Sequence, residues 1–228
     1  LAAHELRTPL TSMVGYLELM GEGSFGKLPK SFERPIMSVR RNALRLRRLV
    51  DDMLDVSRIE AERMVLKKSR CSLPVIARAV VEELHPLAET KDQKVISDIA
   101  RCPDIEADED KIHQVLSNLV SNAVRYCPTG GSIRVTVDQA PEQQYPGGWA
   151  RFRVRDNGPG IEAKDLDAIF EPFSDINPAK HHTSRGPDAA GLGLYIARGL
   201  VDLHEGIVSV ASTPGEYTEF TVLLPGVQ

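Results

Sequence analysis

The 228-residue sequence contains no apolar run that approaches the ~18 residues needed to cross a bilayer. Its three cysteines, Cys71, Cys102 and Cys127, are widely spaced and form no CxxC pair, which argues against a zinc site or a disulfide framework. We therefore expect free thiols in a reducing, cytoplasmic compartment. The net charge of −4 provides no field that would attract nucleic acid or an anionic membrane.

Two phosphate-transfer signatures are also missing from the sequence. It contains neither a GxxxxGK[ST] loop nor the HRD and DFG pair of the eukaryotic type of protein kinase. What is present is ordinary for a soluble globular protein: 42% hydrophobic and 26% charged residues. The length allows one large domain or two smaller ones, each with its own core.

Two apolar series with alternating spacings of three and four residues occupy the first third of the chain. The first consists of Leu6, Leu10, Met13, Leu17 and Met20, and the second of Ile36, Val39, Ala43, Leu46, Val50 and Met53. A glycine-rich connector at residues 21–29 separates them. This pattern predicts an antiparallel helical hairpin. Its wide apolar stripe favours a homodimer through residues 1–60, in which two hairpins form a four-helix bundle.

The first helix begins with a histidine that has reactive neighbours. Heptad phasing places His4, Glu5 and Thr8 outside the apolar seam, on the solvent side. A neutral imidazole is a competent nucleophile at neutral pH, and an adjacent carboxylate can take up its proton. The alternative interpretation is an ordinary surface histidine, which is the commoner case for a lone residue.

The remaining two thirds of the sequence alternate between helical and strand-like patterns. Val95–Ile99 is predicted as a short strand, and two paired strands are predicted around Val135 and Phe152. Together with later strands and helices, this favours a two-layer α/β sandwich on a mixed sheet, so the chain is α+β overall. The domain boundary is expected near residues 66–71, giving domains 1–68 and 69–228.

A predicted helix at residues 110–126 carries two amides and a guanidinium on one strip. Asn118 and Asn122 are four residues apart, and Arg125 follows three residues later. A solvated polar face would explain the pattern. However, amide oxygens are also hard ligands for Mg²⁺, and an arginine can form charge-assisted bonds to phosphate.

Residues 156–161 follow a predicted strand and are rich in turn formers, so a simple turn is one interpretation. The acidic residue suggests another. Asp156 could accept a hydrogen bond from an amino group such as that of adenine. Gly158 and Gly160 would let the backbone approach the base, and Ile161 would offer it an apolar surface.

A polar stretch at residues 175–190 has the composition of a mobile lid. Its adjacent His181 and His182 are interpreted as loop residues, since no other metal-ligand cluster lies nearby in sequence. Gly191 and Gly193 then open an amphipathic helix, where exposed N–H groups could hold a phosphate.

Residues 4–10 resemble the phosphoacceptor box of the bacterial sensor histidine kinases. Four later segments resemble the N, first glycine, phenylalanine and second glycine boxes of the catalytic domain in that family: residues 118–126, 156–161, 170–173 and 191–194. The fold of that domain is shared with gyrase, a heat-shock chaperone and mismatch-repair ATPases. The five segments cover nearly the whole chain in one order, so the resemblance is highly specific.

The resemblance implies that His4 accepts the γ-phosphoryl group of ATP, that Glu5 is the acid/base residue and that Thr8 acts in dephosphorylating the partner. It implies Mg²⁺ at Asn122 and Asn118. It further implies an ATP site formed by Asn118, Asn122, Arg125, Tyr126, Asp156, Gly158, Gly160, Ile161, Phe170, Gly191, Leu192, Gly193 and Leu194. The implied partners are a second copy of the chain and a response-regulator receiver domain.

One departure from the family pattern is visible, because Ala189 and Ala190 stand where the family commonly has Gly-Thr. Two other functional classes share parts of this pattern. One is an ATP hydrolase or clamp of the gyrase and chaperone kind, which commonly has a glutamate at the position of Asn118. The other is a module that binds nucleotide without transfer. Since the sequence begins inside a predicted helix, we also expect a preceding region, which could include an inner-membrane anchor.

Overall fold

The computed structural model describes residues 2–26, 29–141, 144, 148–174 and 191–227, without the side chains of residues 2–7 and 30. The chain divides into two compact units, Leu1–Arg63 and Met64–Gln228, each of which is considered by itself. This division lies a few residues before the domain boundary predicted near residues 66–71. The assignment of a separate function to each domain stays a prediction.

The first unit is the predicted helical hairpin. Helix α1 spans Ala2–Gly21 and helix α2 spans Lys30–Glu60. Arg40 and Glu18 form an ion pair between the two helices at 3.6 Å. Leu10 and Val14, one turn apart on α1, are the most buried apolar side chains of the hairpin. The antiparallel hairpin is thus confirmed.

The predicted seam between these two helices was partly wrong. Val39, Leu46 and Met53 lie seven residues apart and are each about half exposed, at 55%, 50% and 49%. Met13 on α1 is 52% exposed. Two helices cover only one stripe of each other, and α1 uses Leu10 with Val14 for that contact rather than Leu10 with Met13. Val39, Leu46 and Met53 form an exposed apolar stripe on α2.

The second unit is a mixed five-stranded sheet with three long helices. Its elements in chain order are β1 (Ser69–Cys71), α3 (Leu73–Glu89), β2 (Lys94–Ile99), β3 (Ile105–Ala107), α4 (Glu109–Tyr126), β4 (Ser132–Gln139), β5 (Trp149–Asp156), α5 (Gly193–Leu203), β6 (Ile207–Thr213) and β7 (Tyr217–Pro225). Two 3-10 helices, Ala163–Asp165 and Ala168–Phe170, lie between β5 and α5.

The strand order is β2-β4-β5-β7-β6, with β2 parallel to β4 and every other neighbouring pair antiparallel. Strands β1 and β3 form a separate antiparallel pair, which the sequence did not predict because each is only three residues long. The predicted mixed sheet is confirmed.

The core lies between the sheet and helices α3, α4 and α5. Alternate residues of the three central strands are buried on one face, at Ile133, Val135, Val137, Ala150, Phe152, Val154, Phe220, Val222 and Leu224. Each valine, isoleucine, leucine or phenylalanine in this set contributes about 1.5–3 kcal/mol when fully buried. Because cross-strand partners share a face, Asp156 and its partner Thr218 also point toward the helices. The two-layer sandwich is confirmed.

Within the described ranges, no helix combines the length and the apolar character needed to cross a bilayer.

Candidate functional site

A cavity opens where helix α4, the end of β5 and the start of α5 meet. It has about 550 Å³ of space, part of which is open to solvent. The residues that line it are Asn122, Tyr126, Asp156, Pro159, Gly160, Ile161, Ile169, Ser174, Leu194, Thr218 and Phe220. Six of the predicted site residues are therefore brought to one cavity from three separate segments of the sequence.

Asp156 is the buried acid of this cavity, with 4% of its surface exposed. Burial raises the pKa of its carboxyl group to about 6, against the opposing effect of the hydrogen bond from the Gly158 N–H to Oδ1 (2.8 Å). The group can therefore titrate close to neutral pH. A carboxylate among apolar walls is a strong acceptor for an N–H donor of a planar ligand.

The two glycines after Asp156 are required by close backbone contacts. A Cβ at Gly158 would lie 2.5 Å from Asp156 Oδ1 and 2.9 Å from the carbonyl oxygen of Tyr126. Gly160 has a φ of +69°, and a Cβ there would collide with the carbonyl of Thr213, the last residue of β6. Gly160 itself lines the cavity.

The amides of α4 face the start of α5. Asn118 donates from Nδ2 to the carbonyl oxygen of Gly193 (3.0 Å), so its Oδ1 is not used in that bond. A Cβ at Gly193 would stand 3.4 Å from the Asn118 amide carbon, so the two helices approach closely here. Asn122 lies one turn further along α4 and lines the cavity. Arg125 stacks near the ring of Tyr126, with its guanidinium carbon 6.0 Å from the ring centroid.

The end of α4 is fixed by two side chains from the turn between α3 and β2. Lys91 donates from Nζ to the carbonyl oxygens of Val124 (2.8 Å) and Arg125 (3.0 Å). Gln93 donates from Nε2 to the carbonyl oxygens of Val124 (3.0 Å) and Cys127 (2.7 Å). The last carbonyls of a helix have no partners inside the helix, so these bonds hold the turn that carries Arg125 and Tyr126.

Two predicted site residues are buried in the protein rather than exposed to the cavity. Phe170 is 7% exposed and packs edge-on against Phe220, which lines the cavity, with ring centroids 6.3 Å apart. The guanidinium carbon of Arg198 on α5 lies over the ring of Phe170, 5.6 Å from its centroid. Leu192 is 1% exposed and immediately precedes α5. Through its contact with Phe220, Phe170 supports the wall of the cavity.

Gly191 lies beside the other end of the segment that was predicted as a lid. Its φ is +69°, and a Cβ there would be 3.0 Å from the backbone of Phe173. Residues 175–190, with His181, His182, Ala189 and Ala190, lie outside the described residues, so the predicted lid stays a prediction.

The predicted phosphoacceptor segment lies in the first turns of α1. His4 and Glu5 are helical in their backbone, and their side chains lie outside the described residues. Thr8 is exposed, and its carbonyl oxygen accepts a hydrogen bond from Ser12 Oγ (3.2 Å).

Sequence reasoning missed five of the residues that line the cavity: Pro159, Ile169, Ser174, Thr218 and Phe220. Thr218 and Phe220 come from β7, and the sequence does not indicate that this strand lies next to β5. Their contribution follows from the register that pairs Asp156 with Thr218.

The chemistry of the site suits an aromatic, amino-bearing ligand with an anionic extension. Apolar side chains surround one buried carboxylate, and amide groups stand on the α4 side. The described residues contain no cluster of three or more His, Cys, Asp or Glu side chains that could hold a metal ion. A cation here would therefore rely on amide oxygens together with the ligand's own charge.

Comparison with known proteins gives two family matches. Residues 107–228 match the family described as "Histidine kinase-, DNA gyrase B-, and HSP90-like ATPase", and residues 2–62 match "His Kinase A (phospho-acceptor) domain".

Three individual proteins are similar over almost the whole chain. The "Non-motile and phage-resistance protein" of Caulobacter vibrioides is 35% identical over 98% of this chain and 26% of its own length. "Sensor histidine kinase WalK" of Bacillus subtilis is 33% identical over 98% of this chain and 35% of its own length. The structure of full-length ShkA in complex with AMPPNP has a TM-score of 0.79 and 30% identity, and covers 98% of this chain and 44% of that one. The chain thus spans less than two thirds of each of these relatives.

Proposed function

Because the chain belongs to the sensor histidine kinases, we propose that it transfers the γ-phosphoryl group of ATP to His4. The phosphoryl group then passes to an aspartate on a response-regulator receiver domain. The observation that carries the proposal is the buried carboxylate of Asp156, placed at a cavity that α4 and α5 close on the amide side. The similarity to a structure described as a complex with AMPPNP supports ATP as the nucleotide.

In this proposal the adenine ring occupies the apolar part of the cavity. Asp156 accepts a hydrogen bond from the exocyclic amino group, and Ile161 and Leu194 contact the ring faces. Gly158 and Gly160 keep the strand end and the following turn close enough for this contact. A guanine would place a carbonyl oxygen against the Asp156 carboxylate, so adenine is preferred.

The phosphates extend from the cavity toward α4 and α5. Arg125 and Tyr126 interact with phosphate or ribose, and Gly191 and Gly193 leave room at the start of α5. Asn122 and Asn118 would hold Mg²⁺ through amide oxygens. The residues fit this role, since Asn122 lines the cavity and the hydrogen bond of Asn118 uses only its nitrogen. When bound, the ion offsets negative charge on the phosphates.

The transfer itself forms a bond from a ring nitrogen of His4 to the γ-phosphorus and breaks the bond from that phosphorus to the β,γ-bridging oxygen. ADP leaves with the bond electrons. Glu5 takes up the proton that His4 loses. Positioning of the two reactants supplies most of the rate enhancement in such a reaction.

We also propose that the chain acts as a homodimer through residues 1–60. The exposed stripe of Val39, Leu46 and Met53 has the seven-residue spacing of a coiled-coil contact. A second hairpin that packs on this stripe would complete a four-helix bundle. Leu46→Glu should convert a dimer to a monomer in multi-angle light scattering, whereas Glu82→Lys on α3 of the second unit should not.

The test of the transfer uses γ-labelled ATP on the same sample in which nucleotide binding is measured. His4→Gln should abolish the acid-labile, alkali-stable label and leave the ADP affinity within about twofold. Label that persists in this variant would refute His4 as the acceptor. A wild-type chain that binds ATP but is not labelled would instead be a binding module, and one that releases phosphate without labelling would be an ATP hydrolase.

Dephosphorylation of the receiver domain is a further part of the proposal and concerns Thr8. Thr8→Ala should slow the loss of phosphate from the regulator at least about tenfold while His4 is still labelled. Unchanged dephosphorylation in this variant would remove Thr8 from that role.

A further inference from the structure

The connector between the two units is fastened at a defined residue. Helix α2 ends at Glu60, and Val65 in the connector is 85% exposed. Among the described residues, the first hydrogen bond that ties this connector to the second unit runs from the Lys67 N–H to Asp108 Oδ2 (2.8 Å). An ion pair between Lys68 and Glu205 at 3.9 Å lies next to it.

Asp108 joins this connector to the start of α4. It is 8% exposed, and its Oδ1 caps α4 by accepting from the Lys111 N–H (3.2 Å). Both carboxylate oxygens are thus used, one for the helix and one for the connector. A buried carboxylate with two N–H donors is held in one orientation.

His204 continues the same network to the end of α5. Its Nε2 accepts a hydrogen bond from the backbone N–H of Asp108 (3.0 Å), and its Nδ1 lies 2.7 Å from the carbonyl oxygen of Leu200. These partners require Nδ1 to carry the proton and Nε2 to be free of one. The residue is 3% exposed, and burial lowers the pKa of its imidazole, which keeps the neutral form.

The two helices that this network joins also meet at the cavity. Next to the cavity residues Asn122 and Leu194, the side chain of Asn118 is hydrogen-bonded to the carbonyl of Gly193. Asn118 lies ten residues after Asp108, about 15 Å along the helix. Helices α4 and α5 are therefore tied together at two places. One place carries the candidate nucleotide site, and the other receives the connector.

We propose that Asp108 and His204 are positioning residues that fix the point at which the connector leaves the nucleotide-binding unit. This inference rests on the proposed transfer to His4. Without the hydrogen bond to Asp108, Lys67 and Lys68 would become part of the free connector, which would then extend to the start of β1. These two residues add about 7 Å to the maximum length of the connector. A longer free connector lowers the fraction of time that ATP and His4 are in line, while the nucleotide site stays intact.

The test compares two variants of His204, only one of which can accept a hydrogen bond from the Asp108 N–H. His204→Leu leaves the Asp108 N–H without a partner, whereas His204→Gln offers Oε1 near the position of Nε2. At saturating ATP, the leucine variant should label His4 roughly fivefold to tenfold more slowly, with ADP affinity within about twofold, and the glutamine variant should restore the rate to within about twofold. ADP affinity and labelling rate that fall together, or no rescue by glutamine, would overturn the inference.

A second variant does not depend on the folding of the α4–α5 network. Insertion of Gly-Ser between Val65 and Leu66 lengthens the free connector and leaves Lys67, Asp108 and His204 unchanged. It should lower the labelling rate as His204→Leu does, with unchanged ADP affinity and unchanged unfolding temperature. An unchanged labelling rate would show that the anchor point does not matter. A wild-type chain that never labels His4 would refute the proposed function instead.

Discussion

The side-chain nitrogen of Lys91 lies 3.0 Å from the carbonyl oxygen of Arg125, one residue before helix α4 ends. A charge from the α3–β2 turn thereby stabilises the helix terminus next to the candidate nucleotide site. Lys91→Met should lower the free energy of unfolding by about 1–2 kcal/mol and weaken ADP binding several-fold. Denaturant titration and ADP titration measure the two effects.

The matched variants for this prediction are Lys91→Arg and Lys94→Met. Arginine keeps the charge and the donors and should retain most of the affinity. Lys94 is exposed on β2, so its replacement removes the same charge without touching α4. Equal losses in Lys91→Met and Lys94→Met would assign the effect to net charge and contradict the helix-terminus explanation.

Asp156 should make the free protein less stable at neutral pH than at acid pH. Its folded pKa of about 6 lies above the unfolded value of 3.8, so its contribution to stability is fully present below pH 3.8 and is lost as pH rises through 6. Asp156→Asn should therefore stabilise the free protein at pH 8, by about 3 kcal/mol at most, and weaken ADP binding at least about tenfold. Thermal unfolding across pH 4–8 and ADP titration check both parts.

Asp138 provides a control of opposite sign. Burial raises the pKa of its carboxyl group, but hydrogen bonds from Arg151 and the charges of Arg151 and Arg153 outweigh this, so the pKa is lowered. Asp138→Asn should therefore destabilise the protein at neutral pH, with a difference that shrinks as pH falls through the folded pKa. The same sign for both variants would contradict the electrostatic account of Asp156.

Gly160 should tolerate replacement less well than Gly215. Both have a positive φ, at +69° and +80°, so alanine is strained at either position by about 1–2 kcal/mol. Only at Gly160 would the new Cβ also meet the Thr213 and Pro214 backbone, since nothing lies within 4 Å of a Cβ at Gly215. Gly160→Ala should thus unfold at lower denaturant than Gly215→Ala and should alone reduce ADP affinity. Equal effects would mean that the clash is relieved without cost.

The native thiols should react slowly with alkylating reagents. Burial raises the pKa of Cys102 to about 11, and burial also raises the pKa values of Cys71 and Cys127. Relative to a thiol at the unperturbed 9.0, Cys102 has about 100-fold less thiolate at neutral pH. Iodoacetamide labelling followed by mass spectrometry should show much faster labelling in urea than in buffer. Rapid labelling of Cys102 in buffer would contradict its burial.

The sequence predicted the parts of the fold that repeat along the chain. Apolar periodicity located α1, α2 and α4, and alternation located β4 and β5. It could not predict which apolar stripe of α2 contacts α1, because the same heptad pattern also suits contact with another copy. The three-residue strands β1 and β3 have no periodicity to detect and form only through their mutual pairing.

The sequence predicted those candidate site residues whose own side chains suit a nucleotide, such as the amide of Asn122 and the carboxylate of Asp156. Thr218 and Phe220 could not be predicted in the same way, since they reach the cavity only through the pairing of β7 with β5. Lys91, Gln93 and His204 also lacked a local signal. Their roles depend on backbone groups of distant segments, which a sequence pattern does not identify.

The close approach of Gly191 to the backbone of Phe173 brings together the described parts of the chain on either side of residues 175–190. The entropy cost of closing a loop grows with the logarithm of its length, at about 0.6 kcal/mol for each doubling. Insertions and deletions between these two residues therefore cost little stability and do not displace Asp156 or Asn122. The number of residues between Phe173 and Gly191 can therefore vary while the cavity residues supplied by α4 and β5 are retained.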